Sequence, residues 1–498
     1  MLIAVLVAVN RLTDGSLRVL VSGEAWTRVF WIGLMALMAF GGVLLLFTVG
    51  RPCPRCGNGF FVNKFRRHAA RHANNRGGIN LFAKRCLNCG LALAVLILLA
   101  ATPLAQTSAA QSSPKAREQT FQKVWEVVRD KFFDPNFNGV DWNAVHARYA
   151  PLVASVGSDN DLYDLLDRMM SELHSSHMEI IRPDAMAAAR TPPALTGLGV
   201  RDIDGHAIVS RVLPGSSAER AGIRLGYILQ RVDGVDVTDL NRARVALSGP
   251  ANTQVRVTVL DEHDAPREVT LDRRPLAPDQ ASRGSIGDLS IYSLFESKRL
   301  EGGIGYLRFS TFLPALDGQI RTAIQSMHDA PGLIIDLRGN AGGEDSAAIH
   351  IANQLLDKPT VLMITRRRTG DVRDYRATPV SKPFTGPLVI LIDEESASQS
   401  EQFSAALQEI GRAVVIGRKT KGSDMDADLE TLPTGAYLVY AVGQPRTPKG
   451  VVIEGRGVIP DKDVSLTRAG LLAGDDDQLS AAVRYLAGKR ASRAPARH

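Results

Sequence analysis

The sequence predicts a multidomain α/β protein in which N-terminal membrane segments, a helical subdomain, a small β domain and an α/β core follow one another. Three observations carry that prediction. Residues 277–470 alternate short apolar strands with helical patterns, as an α/β core does. Residues 117–190 carry apolar residues at helical spacing, with Leu162, Leu165, Leu166, Met169, Met170 and Leu173 forming one packing stripe. Residues 29–49 form an uncharged apolar stretch long enough to cross a bilayer as a helix.

Residues 1–105 hold the membrane-related features. A second apolar stretch, 87–105, is shorter and is broken late by Pro103. Between the two stretches, residues 51–85 carry nine arginines and lysines and no aspartate or glutamate. The formal net charge is +7, so the rest of the chain sums to −2 and the basic balance is local. A short loop this basic belongs on the cytoplasmic side, which places the remainder outside the cytoplasm. The flanking apolar stretches favour this topological reading over nucleic-acid binding.

All four cysteines fall within residues 51–90, as the pairs Cys53/Cys56 and Cys86/Cys89. Two such pairs resemble a zinc ribbon, with a structural zinc held by four thiolates, and a reducing cytoplasm favours zinc over disulfides. The same region also admits a processing reading. Lys84 and Arg85, the apolar run 90–101 and the small residues Ser108 and Ala110 look like a signal peptide cut near Ala110. The first reading anchors the protein in a bacterial inner membrane with its body in the periplasm. The second frees that body into the periplasm.

Residues 106–116 form a polar linker. In the helical section Phe121, Val124, Val128 and Phe132 are expected to face inward. His177 follows in the run Leu173-His-Ser-Ser-His-Met178, where a histidine alone would more often be a surface or capping residue. In the core, residues 333–337 are a buried strand leading into Gly339-Asn-Ala-Gly-Gly343. That loop lacks the spacing and lysine of a nucleotide-binding loop, so its better use is to present a backbone N–H to an oxyanion. Residues 387–393 form another buried strand, followed by Ser396-Ala-Ser-Gln-Ser-Glu401 and a helix bearing Phe403, Leu407 and Ile410. A serine at that helix start is an N-cap or a nucleophile whose attack creates negative charge near the helix dipole. Glu454 stands in a glycine-rich turn, and the basic, Ala-rich tail 487–498 is expected to be disordered.

These pieces together resemble the carboxyl-terminal processing peptidases and the tricorn core protease, over about residues 117–464. The resemblance rests on Phe121-Gln-Lys-Val-Trp125, Gly-Val-Asp-Trp at 139–142, Ser-Ser-His177, Asp336-Leu-Arg-Gly-Asn340, the run 396–401, the segment 411–417 and Gly457-Val-Ile-Pro-Asp461. It implies a ClpP/crotonase-like α/β peptidase core and a serine endopeptidase needing no cofactor for catalysis. Ser398 would be the nucleophile, with an oxyanion hole from the N–H of Gln399 and that of Gly342 or Gly343. Processing peptidases use a lysine as base, but Ser423 occupies that register here, with Lys419 and Lys421 out of step. The tricorn-like branch uses a histidine preceded by a serine, with a distant glutamate, which Ser176, His177 and Glu454 match. Residues 195–276 resemble a PDZ domain, with Gly197, Leu198, Gly199 and Val200 as the peptide-binding turn and strand. Its usual aspartate after the later glycine is replaced by Tyr227. The partners implied are peptide or protein substrates and a membrane, not nucleic acid. A non-catalytic peptide- or ligand-binding protein of the same fold is the alternative.

Overall fold

The computed structural model describes residues 111–185, 194–275, 281–286 and 289–493. The two apolar stretches, the loop with Cys53, Cys56, Cys86 and Cys89, and the cleavage position near Ala110 lie outside the described residues. Among the described residues no helix is long and apolar enough to cross a membrane, and no cluster of His, Cys, Asp or Glu is arranged to hold a metal ion.

The helical section opens with α1, Pro114–Lys131. Ser113 caps it by accepting the Ala116 N–H, and proline takes the first position, where no N–H is needed. α2, Trp142–Val153, is capped by Asp141, and α3, Asp159–Ser171, by Ser158. The stripe from Leu162 to Leu173 packs with Phe121, Val124, Val128 and Phe132 in one core, which also takes in Leu438 and Tyr440 from far along the chain. That contact is extended by β1, Glu179–Ile181, which pairs antiparallel with residues 437–439. The helices therefore deliver residues 176–177 directly to the core.

The β domain contains β2, Leu198–Ile203, β3, His206–Val212, β4, Ile228–Val232, helix α4, Leu240–Leu247, then β5, Gln254–Leu260, and β6, Pro266–Asp272. The strands lie in the order β2-β3-β4-β5-β6. Tyr227 is buried and its hydroxyl donates to Glu262, so an aromatic ring fills the turn in place of an aspartate.

The α/β core starts with the hairpin β7, Ala281–Ile286, and β8, Leu289–Arg299. There follow β9, Gly305–Phe309, α5, Asp317–Ser326, β10, Leu333–Asp336, α6, Asp345–Asn353, β11, Thr360–Arg367, β12, Val372–Ala377, and β13, Leu388–Ile392. The chain continues through α7, Gln399–Glu409, β14, Val414–Gly417, β15, Asp426–Thr431, β16, Tyr437–Arg446, β17, Lys462–Asp463, and α8, Asp477–Arg493. The main sheet runs β7-β8-β9-β10-β13-β14-β17, parallel from β9 onwards. β10 and β13 are buried along their whole length, as expected of parallel strands covered on both faces. A second sheet, β1-β16-β11-β12 with β15 on β16, carries the strand from the helical section. Because β10 and β13 are neighbours, the loops at their carboxyl ends lie side by side, where parallel sheets place their sites.

The tail needs correction. Order was expected to stop at Leu486, but α8 continues to Arg493. Ala482 and Leu486 are buried against Ile334, Val389 and Leu391 on the sheet face opposite α5–α7. A helix anchored by those contacts propagates through the alanines, lysine and arginines of 487–493, good helix formers that offset Gly488.

Candidate active site

The strand that leads into the glycine loop ends in a buried charged knot. Asp336, at the end of β10, accepts from Tyr306 Oη (2.7 Å), Arg308 Nη1 (2.8 Å), Arg338 Nη2 (2.7 Å) and Arg338 Nε (2.9 Å). Burial alone would push this carboxyl up, but the Arg308 and Arg338 charges override it and hold it well below the usual range. The knot fixes the first turn of the glycine loop.

Asn340 then fastens that loop to the serine turn. Its Nδ2 donates to the Phe309 carbonyl (3.0 Å), and its Oδ1 accepts the Gly342 N–H (2.9 Å). Its own carbonyl accepts from the Ala397 N–H (3.1 Å) and the Ser400 hydroxyl (2.8 Å). The contact is close: a methyl on Gly342 would sit 2.7 Å from Ser398 Cβ and 2.9 Å from the Gln399 nitrogen. Gly343 has φ +141°, and a Cβ there would strike the Phe312 carbonyl at 2.2 Å. Flanking bonds, Phe312 N–H to Gly342 and Glu344 N–H to Phe312, bypass the Gly343 N–H. Of the two glycines, Gly342 has its N–H committed to Asn340, whereas Gly343 lines the cavity and its N–H has no acceptor among the described residues.

Ser398 is the N-cap of α7 and sits at φ 51°, ψ −122°, a conformation costly for a residue with a side chain. It is held by its N–H, which donates to the Ser423 carbonyl (2.8 Å) and to Glu401 Oε2 (3.1 Å). The next N–H, that of Gln399, is the first of the helix and has no intrahelical acceptor. Glu401 is fully buried and also accepts from Thr420 Oγ1, the Gly422 N–H (2.7 Å) and the Ser423 N–H (2.9 Å). It thus ties residues 420–423 to the serine. Sequence reasoning quoted Glu401 without giving it a role, although Ser-x-x-Glu before an apolar run is a capping-box signal.

His177 and Ser398 line one cavity of about 440 Å³, together with Gly343. Behind the imidazole, Glu454 accepts the Ser176 N–H on Oε1 (2.7 Å) and the Ser176 hydroxyl on Oε2 (2.8 Å). Ser176 Oγ lies 2.8 Å from His177 Nδ1. Since the hydroxyl proton goes to the carboxylate, Oγ accepts from Nδ1–H, which leaves Nε2 as the proton acceptor. Burial lowers the His177 pKa, Glu454 raises it in part, and Lys421 adds a smaller lowering. The Asp424 N–H also donates to Glu454 Oε2 (2.7 Å), while its own carboxyl is buried with neither oxygen hydrogen-bonded. Burial, then Glu401, pushes Asp424 far up, so it is held protonated.

Lys419 and Lys421 are exposed, and neither lines this cavity. In the β domain, Gly197 precedes β2, which contains Leu198, Gly199 and Val200, and this edge faces a second cavity of about 320 Å³ against the core. Arg244 of α4 reaches across that edge. Its guanidinium donates to the Val200 carbonyl (2.7 Å) and to Glu395 (2.6 Å), three residues before Ser398.

The fold and this constellation define a serine-type peptidase with an appended PDZ domain. Residues 303–464 match peptidase family S41, residues 113–171 the tricorn protease C1 domain, and residues 208–261 the PDZ domain. The chain is a serine-type peptidase whose core matches the S41 family model and which is similar to carboxyl-terminal-processing proteases. It is 29% identical over 354 residues to a carboxyl-terminal-processing protease of Picosynechococcus sp., covering 69% of this chain and 82% of the relative. It is 28% identical over 356 residues to the chloroplastic C-terminal processing peptidase of Tetradesmus obliquus, covering 68% and 76%. Among solved structures, the photosystem II D1 C-terminal processing protease superposes with TM-score 0.50 at 25% identity, over 72% of this chain and 96% of that one.

Proposed function

We propose that the protein is a serine endopeptidase with a tricorn-like Ser/His/Ser/Glu set, acting outside the cytoplasm on peptides or proteins engaged by its PDZ domain. The observation that carries this reading is the hydrogen-bonded series Glu454–Ser176–His177 ending in the cavity that Ser398 lines. In the first step Ser398 Oγ attacks the scissile carbonyl and gives its proton to His177 Nε2. The oxyanion is received by the N–H groups of Gly343 and Gln399, at the positive end of α7. The imidazolium, steadied through Ser176 by Glu454, then protonates the leaving amine. Water attacks the acyl-enzyme by the same route in reverse.

The names of the relatives suggest cleavage near substrate carboxyl termini. A PDZ edge formed by Gly197, Leu198, Gly199 and Val200 suits capture of such an end. For the N-terminal part, the basic loop and apolar stretches support attachment to a membrane, or release after cleavage near Ala110. The pairs Cys53/Cys56 and Cys86/Cys89 support a structural zinc. N-terminal sequencing of the isolated protein decides between the first two. Zinc stoichiometry of the full-length protein under reducing conditions, beside a Cys53→Ser variant, tests the third.

The catalytic assignment is tested by a serine-directed phosphonate and a peptide assay. Ser398→Ala should abolish both labelling and cleavage. His177→Ala should lose cleavage, while Lys419→Ala and Lys421→Ala keep it. Cleavage surviving in His177→Ala but lost in either lysine variant overturns the histidine as base.

A further inference from the structure

The cavity beside Ser398 has walls of unequal chemistry. Ile181, Met425 and Val439 present apolar surface to it. It is also lined by Asp345, two residues beyond Gly343, Asp426 of β15, and Gln402, one helical turn beyond Ser398. Gln402 is only 6% exposed; its side chain interacts with Asp424 and Asp426, yet its Oε1 has no hydrogen-bond partner among the described residues. A buried acceptor left empty beside two carboxyls is expensive unless something arrives to donate to it.

The carboxyls are short of positive charge in the same way. Burial, then Asp426 and Glu344, pushes Asp345 up to about 7. Burial raises Asp426 as well. The cations of this cavity, Arg367 and Arg373, are exposed, and they offset those shifts only in part.

A carbonyl seated on the N–H groups of Gly343 and Gln399 belongs to the residue on the amino side of the scissile bond. Asp345 follows Gly343 by two residues and Gln402 follows Gln399 by three, and both line the cavity that this residue's side chain would enter. We propose that this wall is a specificity site for lysine or arginine immediately before the cleaved bond. The aliphatic stem lies along the apolar wall, and the charged head donates to Asp345, Asp426 and Gln402 Oε1. The inference rests on the peptidase reading of Ser398. Buried charge-assisted pairs of this kind discriminate strongly, because a neutral side chain gives the site's carboxyls no added positive charge beyond Arg367 and Arg373.

The test is digestion of a proteome-derived peptide library by the full-length enzyme, with cut sites read by mass spectrometry and Ser398→Ala as blank. Peptides matching the best cut site, differing only in Lys, Arg, Leu or Glu before the bond, then give kcat/KM. We expect Lys and Arg to exceed Leu at least 10-fold and Glu further. In Asp345→Asn and Asp426→Asn the Lys/Leu ratio should fall about 10- to 100-fold. The ratio is taken within each variant, so a general loss of folded enzyme cancels. Cuts after apolar or acidic residues, or a ratio that neither substitution moves, overturn the inference while phosphonate labelling of Ser398 leaves the peptidase reading standing. No cuts and no labelling sink both.

Discussion

Glu454→Gln is the sharpest perturbation of the proposed relay, because it changes one atom and leaves the shape. The carboxylate accepts three hydrogen bonds, from the Ser176 N–H, the Ser176 hydroxyl and the Asp424 N–H. An amide cannot accept all three. If its nitrogen takes the Oε1 place, it faces the Ser176 N–H donor to donor, and the Ser176 hydroxyl still points at oxygen. The histidine tautomer then survives, but the negative charge behind it is gone. Two steps of 2.8 Å separate Nδ1 from Oε2, so imidazolium and carboxylate lie at most ~5.6 Å apart. At an effective dielectric of ~20 that pair is worth about 3 kcal/mol, or about 10²-fold in rate. If instead the nitrogen takes the Oε2 place, it donates to Ser176 Oγ, whose proton must turn to Nδ1. Nε2 is then the protonated nitrogen and cannot act as base, a fault costing about 10⁴-fold where an orienting acid is replaced by its amide. The expected loss in kcat/KM therefore lies between about 10² and 10⁴, measured on a fluorogenic peptide from pH 5 to 9. The profile has a second signature. The base must be neutral, so activity falls as pH drops through the His177 pKa, which burial already sets below its ordinary value and Glu454 raises in part. Removing Glu454 lowers it further, so the acidic limb should move to lower pH as the plateau falls. A plateau within about threefold of wild type, or a limb that moves upward, refutes the relay.

Three further outcomes follow from the same geometry. Asp424→Asn should stabilise the protein at neutral and alkaline pH. Burial, then Glu401, raises the folded carboxyl, so its contribution is intact below the ordinary aspartate value and is lost as pH rises toward the folded one. Melting temperatures of the two proteins should converge as pH falls through about 4, and a gap that does not close on acidification contradicts this. Leu486→Ala should cost about 2–5 kcal/mol by urea unfolding, since that side chain is 1% exposed against the main sheet, whereas a disordered tail would lose nothing. Arg244→Ala frees the Val200 carbonyl at the β2 edge, so a fluorescent peptide with a free carboxyl terminus should bind more tightly by anisotropy. Unchanged or weaker binding shows that this guanidinium does not close the groove.

Local signals made much of this molecule readable from its sequence. The strand and glycine loop ending at Gly343, and the strand, Ser398 and helix that follow residue 387, each declare themselves through an apolar run, a turn residue and a change of period. What stayed hidden depends on atoms distant in the chain. Gly342 and Gly343 are indistinguishable as letters, and only the Asn340 side chain, which takes the N–H of one, separates them. The pairing of Glu179–Ile181 with residues 437–439 brings His177 to the core, yet a three-residue strand carries almost no periodicity to read. The tail reads as disordered by composition because its two anchors, Ala482 and Leu486, precede the basic stretch they stabilise.

The proposed use of a histidine base in place of a lysine also has a structural logic that runs through one short segment. Residues 420–424 touch both halves of the proposed machinery. Thr420, Gly422 and Ser423 donate to Glu401, and the Ser423 carbonyl takes the Ser398 N–H. One residue later the Asp424 N–H donates to Glu454. The segment that supplies a lysine in the processing peptidases serves here through its backbone, holding nucleophile and orienting carboxylate at a fixed separation. The proposed base comes from the helical section, two residues before β1. On this view the Ser176–His177 pair is what permits a serine at 423, since without a lysine there and without the histidine Ser398 would have no proton acceptor.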